Sequence, residues 1–135
     1  MIYVLDTTAV SALMRAEAGH SRRLLQASPG EVAIPQPVVA EVRYGLESLP
    51  RSRRRRELED RFETVLEALS RAPWNDDVSR TFGLQKAELE RRGQRVDDFD
   101  VAIAAHALAS DATLVTSNTR HFNRMRGLKI EDWSD

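Results

Sequence analysis

The sequence predicts an α/β fold: one small parallel sheet flanked by helices. Three observations carry that expectation. Short apolar runs recur along the chain and alternate with longer amphipathic segments. The first run, Ile2-Tyr3-Val4-Leu5, has no polar face, as suits a strand buried on both sides. The 135 residues suit one hydrophobic core and contain no repeat or linker long enough to divide them, so 1–135 is read as one domain.

The elements follow in order. After the first strand, Thr7 to Met14 starts a helix, and His20 to Ala27 forms a second that stops at Ser28-Pro29-Gly30. Val32-Ala33-Ile34 is the second strand. Pro35 and Pro37 punctuate entry into a helix reaching about Ser48, and Pro50 stops it. Arg51 to Leu69 is a polar helix with an apolar stripe at Leu58, Phe62, Val65, Leu66 and Leu69. Asn75 caps a helix to about Arg92, with Asp76 and Asp77 in its favourable first turn, and Gly93 ends it. Phe99 to Ser110 is a helix, Thr113 to Thr116 a strand, Asn118 to Met125 a short helix and Leu128 to Ile130 the last strand. Four strands are expected in all.

Composition narrows the chemistry. The 41% hydrophobic and 30% charged content marks a globular chain. Twenty basic against 21 acidic residues give a formal charge of -1, which excludes nucleic-acid binding by bulk charge alone. All the basic residues but Lys86 and Lys129 are arginine. The absence of cysteine excludes disulfides, thiolate metal sites and thiol nucleophiles, and it fits a cytoplasmic setting. The longest apolar run, Val101 to Ala109, is too short to span a membrane, and the N-terminal segment does not read as a secretory signal. No glycine-rich phosphate loop or nucleophile elbow occurs, and His20, His106 and His121 lack metal-ligand spacing.

Carboxylates at special places remain. Asp6 directly follows the first strand, at the edge of a parallel sheet where ligands bind; alternatively it or Thr7 only caps the next helix. Glu41 flanks the apolar face Val38, Val39, Val42, Leu46 and Leu49, and a rim position covering apolar surface is its plainer role. Asp97, Asp98 and Asp100 crowd the start of a helix that is apolar almost all round. That exceeds what one cap needs, and the helix N-terminus favours an ionised carboxylate. Leu114-Val115-Thr116-Ser117-Asn118 is a strand ending in oxygen-bearing side chains, where Ser117 or Asn118 could serve as an ordinary cap.

Together these segments resemble the PIN-domain ribonucleases, specifically the VapC-type toxins of bacterial toxin–antitoxin modules. The likeness covers nearly the whole chain. Its pieces are Val4-Leu5-Asp6-Thr7, Val39-Ala40-Glu41-Val42-Arg43-Tyr44-Gly45, Asp100-Val101-Ala102-Ile103-Ala104-Ala105-His106-Ala107 and Leu114 to Phe122, with Trp133 near the end. The resemblance implies that Asp6, Glu41 and Asp100 are the catalytic acids and metal ligands, and that the fourth acidic position is Asn118. Thr8 stands where Asn or Ser is more usual. Mutual repulsion among three carboxylates would be relieved by a hard divalent cation, Mg2+, with Mn2+ able to substitute. Such an ion activates water and offsets charge on a phosphate undergoing in-line displacement.

The implied reaction is hydrolysis of an RNA phosphodiester, leaving a 5′-phosphate and a 3′-hydroxyl. Thr7, Thr116, Arg120 and Arg124 are read as substrate contacts. The Arg51–Arg56 run is read chiefly as a solvated face with pairs Arg53–Glu57, Arg55–Glu59 and Arg56–Asp60. His106 is read as a packed core residue. Neutral Asn118 leaves three formal negative charges, which suits one ion in the free protein. The family further implies a VapB-type antitoxin whose C-terminal segment crosses the acidic cleft, a homodimer, and a toxin–antitoxin hetero-oligomer.

Alternatives are a PIN fold without activity that only binds RNA or protein, and another metal-dependent phosphohydrolase. A dehalogenase-like phosphatase would need an Asp where Thr8 stands, and a receiver domain would need an acidic pair ahead of its phospho-acceptor.

Overall fold

A computed structural model describes residues 1–135. Five parallel strands form one sheet in the order β3-β2-β1-β4-β5. They are β1 (Tyr3–Leu5), β2 (Val32–Pro35), β3 (Ser70–Ala72), β4 (Thr113–Val115) and β5 (Lys129–Glu131). The helices are α1 (Thr7–Met14), α2 (Ala18–Gln26), α3 (Gln36–Glu47), α4 (Arg53–Ala68), α5 (Asp76–Arg91), α6 (Asp98–Ala109) and the single turn α7 (Thr119–Phe122), with a 3-10 turn at Pro29–Glu31. The parallel α/β architecture agrees with the sequence reading. One strand was not expected: β3 lies just beyond the Arg51–Leu69 segment assigned to the long polar helix, which in the structure ends at Ala68. Ser70-Arg71-Ala72 is a mostly exposed edge strand without a β-branched residue, so neither periodicity nor propensity marks it. The short helix after Asn118 likewise stops at Phe122, before Met125.

Strand β1 is central because its apolar side chains suit both faces. Val4 pairs with Ala33 on one side and Leu114 on the other, and Leu5 faces Val115. Val4, Leu5, Ile34 and Leu114 are all fully buried. From β1 the chain first winds outward to β2 and β3, then crosses back to lay β4 on β1's free side. The winding direction therefore reverses between β1 and β4. At that point the two connections leave the sheet in opposite directions and open a crevice at the carboxyl ends of the strands.

Helices α1 and α3 start directly after β1 and β2, and α6 leads straight back into the start of β4. Consequently the N-termini of α1, α3 and α6 all lie at this carboxyl edge. Helix α6 is buried from Val101 through Ala107, as an almost wholly apolar helix must be. Its alanines let α5 pack closely on it. Across the sheet, Phe62 and Leu66 of α4 reach the same core. Each such buried side chain contributes about 1.5–3 kcal/mol. The C-terminal segment closes over β1, where Trp133 is buried and its indole meets the Tyr3 ring edge-on at 5.3 Å.

Candidate active site at the carboxyl edge

Asp6 is the first residue past β1, and its backbone N–H still bonds the Val115 carbonyl at 3.0 Å. It caps α1, accepting the Ala9 N–H at 2.9 Å, so the capping role considered from sequence is real. Capping leaves carboxylate lone pairs free for more partners. Thr8 Oγ1 donates to Asp6 Oδ1 at 2.7 Å, and the nearby Thr116 hydroxyl helps to stabilise the ionised carboxylate. Asp6 is only 3% exposed. Burial pushes its carboxyl above the ordinary range, against the lowering effect of those hydrogen bonds, and the Asp100 charge adds to the rise.

Glu41 sits in the second turn of α3, half-buried, and accepts from Thr7 Oγ1 at 2.6 Å. Partial burial raises its carboxyl as well; the Thr7 bond opposes this, and repulsion from Asp100, Asp97 and Asp6 adds to it. Asp6, Glu41 and Asp100 therefore lie within one another's electrostatic reach. The three aspartates opening α6 divide their work. Asp97 is the N-cap, accepting the Phe99 N–H at 2.9 Å. Asp98 pairs outward with Lys86 Nζ at 3.1 Å. Asp100 turns toward α7, where His121 Nε2 lies 2.9 Å from its Oδ2. The donor set is all oxygen, which fits a hard divalent ion in kind. As they stand, Thr7 holds Glu41 and His121 holds Asp100, and no three acidic or histidine side chains converge closely enough to grip an ion.

The expected substrate contacts fare unevenly. Thr7 points its hydroxyl at Glu41. Thr116 is fully buried and accepts the Asn118 N–H at 2.9 Å, so it braces the strand end and offers nothing to an incoming molecule. Arg124 folds back onto protein acceptors: the carbonyls of His121 and Arg95, and the His121 ring. Arg120 is exposed, two residues past Asn118 in α7. Asn118 is exposed and precedes α7, and its side chain does not cap that turn.

Two participants escaped sequence reading. Thr8 Oγ1 bonds Asp6 and also accepts the Ser117 N–H at 3.0 Å, tying the β1 and β4 exits together. His121 touches Asp100 although no histidine belonged to the expected pattern. Both contacts are tertiary, and no local motif announces them. His106, by contrast, is a core residue, donating from Nδ1 to the Ala102 carbonyl at 2.9 Å, and burial lowers its pKa. In the Arg51–Arg56 run only Arg55–Glu59 forms among the expected pairs, and Arg55 lies closer to Glu47, at 2.9 Å. Arg54 instead lines a cleft of about 280 Å³ that also holds Thr7, Glu41, Met14, Leu46 and Leu58. A second cavity of about 460 Å³ opens over Glu41, Asp97 and Asp100, walled by Tyr44 and Phe99.

Comparison with known proteins places the fold in a family. The PIN domain model matches residues 3–128. Ribonuclease VapC2 of Rickettsia felis is 32% identical over 98% of both chains. The tRNA(fMet)-specific endonuclease VapC of Shigella flexneri is 30% identical, again over 98% of both. Among solved structures, VapBC2 of Rickettsia felis bound to a DNA fragment from their promoter superposes with a TM-score of 0.88 at 29% identity, covering 99% of this chain and 100% of that one. VapBC of Salmonella typhimurium, also DNA-bound, gives a TM-score of 0.88 at 26% identity over 98% of each chain. The reversal crevice and its acids thus sit on a fold shared along almost the full length of these proteins, and the chain belongs to the PIN-domain family, among its VapC ribonucleases.

Proposed function

We propose that this chain is a divalent-metal-dependent endoribonuclease toxin, acting in the cytoplasm and held inactive by a cognate VapB-type antitoxin. The observation that carries the reading is the mutual electrostatic reach of Asp6, Glu41 and Asp100 at the sheet's reversal crevice. Burial and repulsion make carboxylates costly there, and the fold retains them. A hard cation would offset that cost, with Asp6, Glu41 and Asp100 as its ligands and Asn118 as a neutral fourth donor. Mg2+ is the expected ion, and Mn2+ substitutes. When bound, the ion supplies an activated water and shields charge building on the scissile phosphate.

The chain's own groups do the rest. Thr8 and the Ala9 N–H hold Asp6 in one rotamer, Thr7 steers Glu41, and Arg120 anchors a backbone phosphate. Tyr44 and Phe99 offer faces on which unpaired bases can stack. The named relatives, a ribonuclease and a tRNA-specific endonuclease, support RNA as substrate.

The VapBC complexes among the structural relatives support the antitoxin as partner. The cleft with Met14, Val42, Leu46, Leu49 and Leu58 beside Glu41 suits an amphipathic segment whose arginine enters the acids. A homodimer carrying antitoxin is the expected assembly. An intact complex should not cleave RNA, and proteolytic removal of the antitoxin should restore Mg2+-dependent cleavage.

The test is direct. Asp6→Asn, Glu41→Gln and Asp100→Asn should each lower cleavage by on the order of a thousandfold, about 4 kcal/mol of barrier. Asp98→Asn, which lies outside the crevice, should leave it near wild type. Near wild-type cleavage by any of the first three, at matched Mg2+, removes that residue from the site.

A further inference from the structure

Helix α7 is one turn long, yet it is anchored by the buried Phe122 and presents the His121 ring to Asp100. The ring has two nitrogens with distinct partners. His121 Nε2 meets Asp100 Oδ2 at 2.9 Å, and Nδ1 meets Arg124 Nη2. A guanidinium can only donate, so Nδ1 must accept. The ring proton therefore sits on Nε2 and is donated to Asp100.

Arg124 is itself fixed. Its Nε donates to the His121 carbonyl at 3.1 Å and its Nη1 to the Arg95 carbonyl at 3.2 Å. Arg92, the C-cap of α5, closes the set by donating to the Arg124 carbonyl at 2.9 Å. Three segments are thereby tied together: the end of α5, the loop into α6 that carries Asp100, and α7.

We infer that His121 is a positioning residue for Asp100, locked by Arg124 in the Nε2–H tautomer. This rests on the proposed role of Asp100 as a reactive acid and ion ligand. One carboxylate oxygen is held by the imidazole, which leaves the other directed to the crevice. The arrangement fixes the carboxylate's rotation. It also gives Arg124 a role distinct from substrate contact: its guanidinium selects the tautomer.

Three variants and one spectrum test it. In metal-free protein, long-range 1H–15N correlation of the His121 ring should place the proton on Nε2. Arg124→Met should mix the tautomers. His121→Phe keeps the ring's bulk and loses the donor. Mn2+ affinity measured calorimetrically should fall about 10- to 100-fold, and kcat with it, while KM for RNA stays within about twofold. His121→Gln carries an N–H donor near the same place and should recover most of both losses. Should the Phe variant fail to fold, the wild-type tautomer and a poorly active His121→Asn beside an active Gln variant decide the question.

A proton on Nδ1 in wild type overturns the inference. So does a folded His121→Phe protein with wild-type Mn2+ affinity and kcat. Asp100→Asn separates the two levels. If it is inactive while His121→Phe is normal, only the positioning role falls. If it cleaves normally, the assignment of Asp100 falls and the positioning role with it.

Discussion

Thr8 shows how much one hydroxyl can hold. Its Oγ1 donates to Asp6 and accepts from the Ser117 N–H, which spans 109 residues of sequence. The donated bond favours the ionised form of a carboxylate that burial opposes. Thr8→Val keeps the shape and removes both bonds. The cost should be about 1–2 kcal/mol, from an orphaned N–H and a carboxylate with one donor fewer. Thr8→Ser should restore it, and chemical denaturation reads the difference. A Val variant as stable as wild type would show that water replaces the hydroxyl freely. From sequence, Thr8 was visible only as a departure from the family's usual Asn or Ser. Strand ends and helix starts drew attention to Asp6, Glu41 and Asp100 one by one, with capping or a rim position as the plainer roles of Asp6 and Glu41, and only the resemblance to the PIN family grouped them as acids of one site. The resemblance selects Asp100 over Asp97 and Asp98 by the register of the Ile103-Ala104-Ala105 stretch; in the structure Asp97 caps α6 and Asp98 pairs with Lys86. His121 was not legible, because its meaning lies in a contact 21 residues away.

Among the elements, those defined by an apolar stripe or a cap were readable to within a few residues. Asn75, Gly93 and the buried run of α6 behave as their residue types dictate. Strand β3 was unreadable because its pairing is imposed by β2: Ala33, Ile34 and Pro35 set the register for Ser70, Arg71 and Ala72. The docking of α2 against the C-terminal segment was also invisible. There the backbone of Gly19 approaches so closely that an added Cβ would lie 2.4 Å from the Trp133 carbonyl oxygen. A backbone atom cannot swing aside as a side chain can. Gly19→Ala should therefore lift the C-terminal segment and cost about 1–3 kcal/mol, although alanine is the better helix former. Thermal melting measures the loss, and reduced burial of Trp133 should appear as a red shift of its fluorescence. An alanine variant more stable than wild type would mean the segment moves away at no cost.

For the whole molecule, the crevice sets function against stability. Asp6 and Glu41 both have carboxyl pKa values raised on folding, from ordinary values of 3.8 and 4.5. The native chain thus keeps protons that the unfolded chain has already released. Where the native state binds more protons, stability falls as pH rises. The contribution of this pair is complete below the ordinary values and is lost as pH climbs through the raised ones. Asp132, lowered chiefly by its Ser134 hydrogen bonds, works in the opposite direction, so the total profile does not isolate the pair. A difference does. The Asp6→Asn/Glu41→Gln double variant keeps the side-chain shapes and removes both charges. Its Tm minus that of wild type, measured without divalent ions, should be small at pH 4, grow as pH rises through the raised values, and level off above them. Each kcal/mol corresponds to roughly 3–5 °C in a chain of this size. A cation bound by the native acids should reverse the order. At a hundred times its dissociation constant it stabilises by about 2.7 kcal/mol, raising the wild-type Tm by about 10 °C. The double variant should barely respond. A difference that shrinks with pH would refute the electrostatic cost assigned to the crevice. Equal Mn2+ stabilisation of both proteins would place the ion elsewhere.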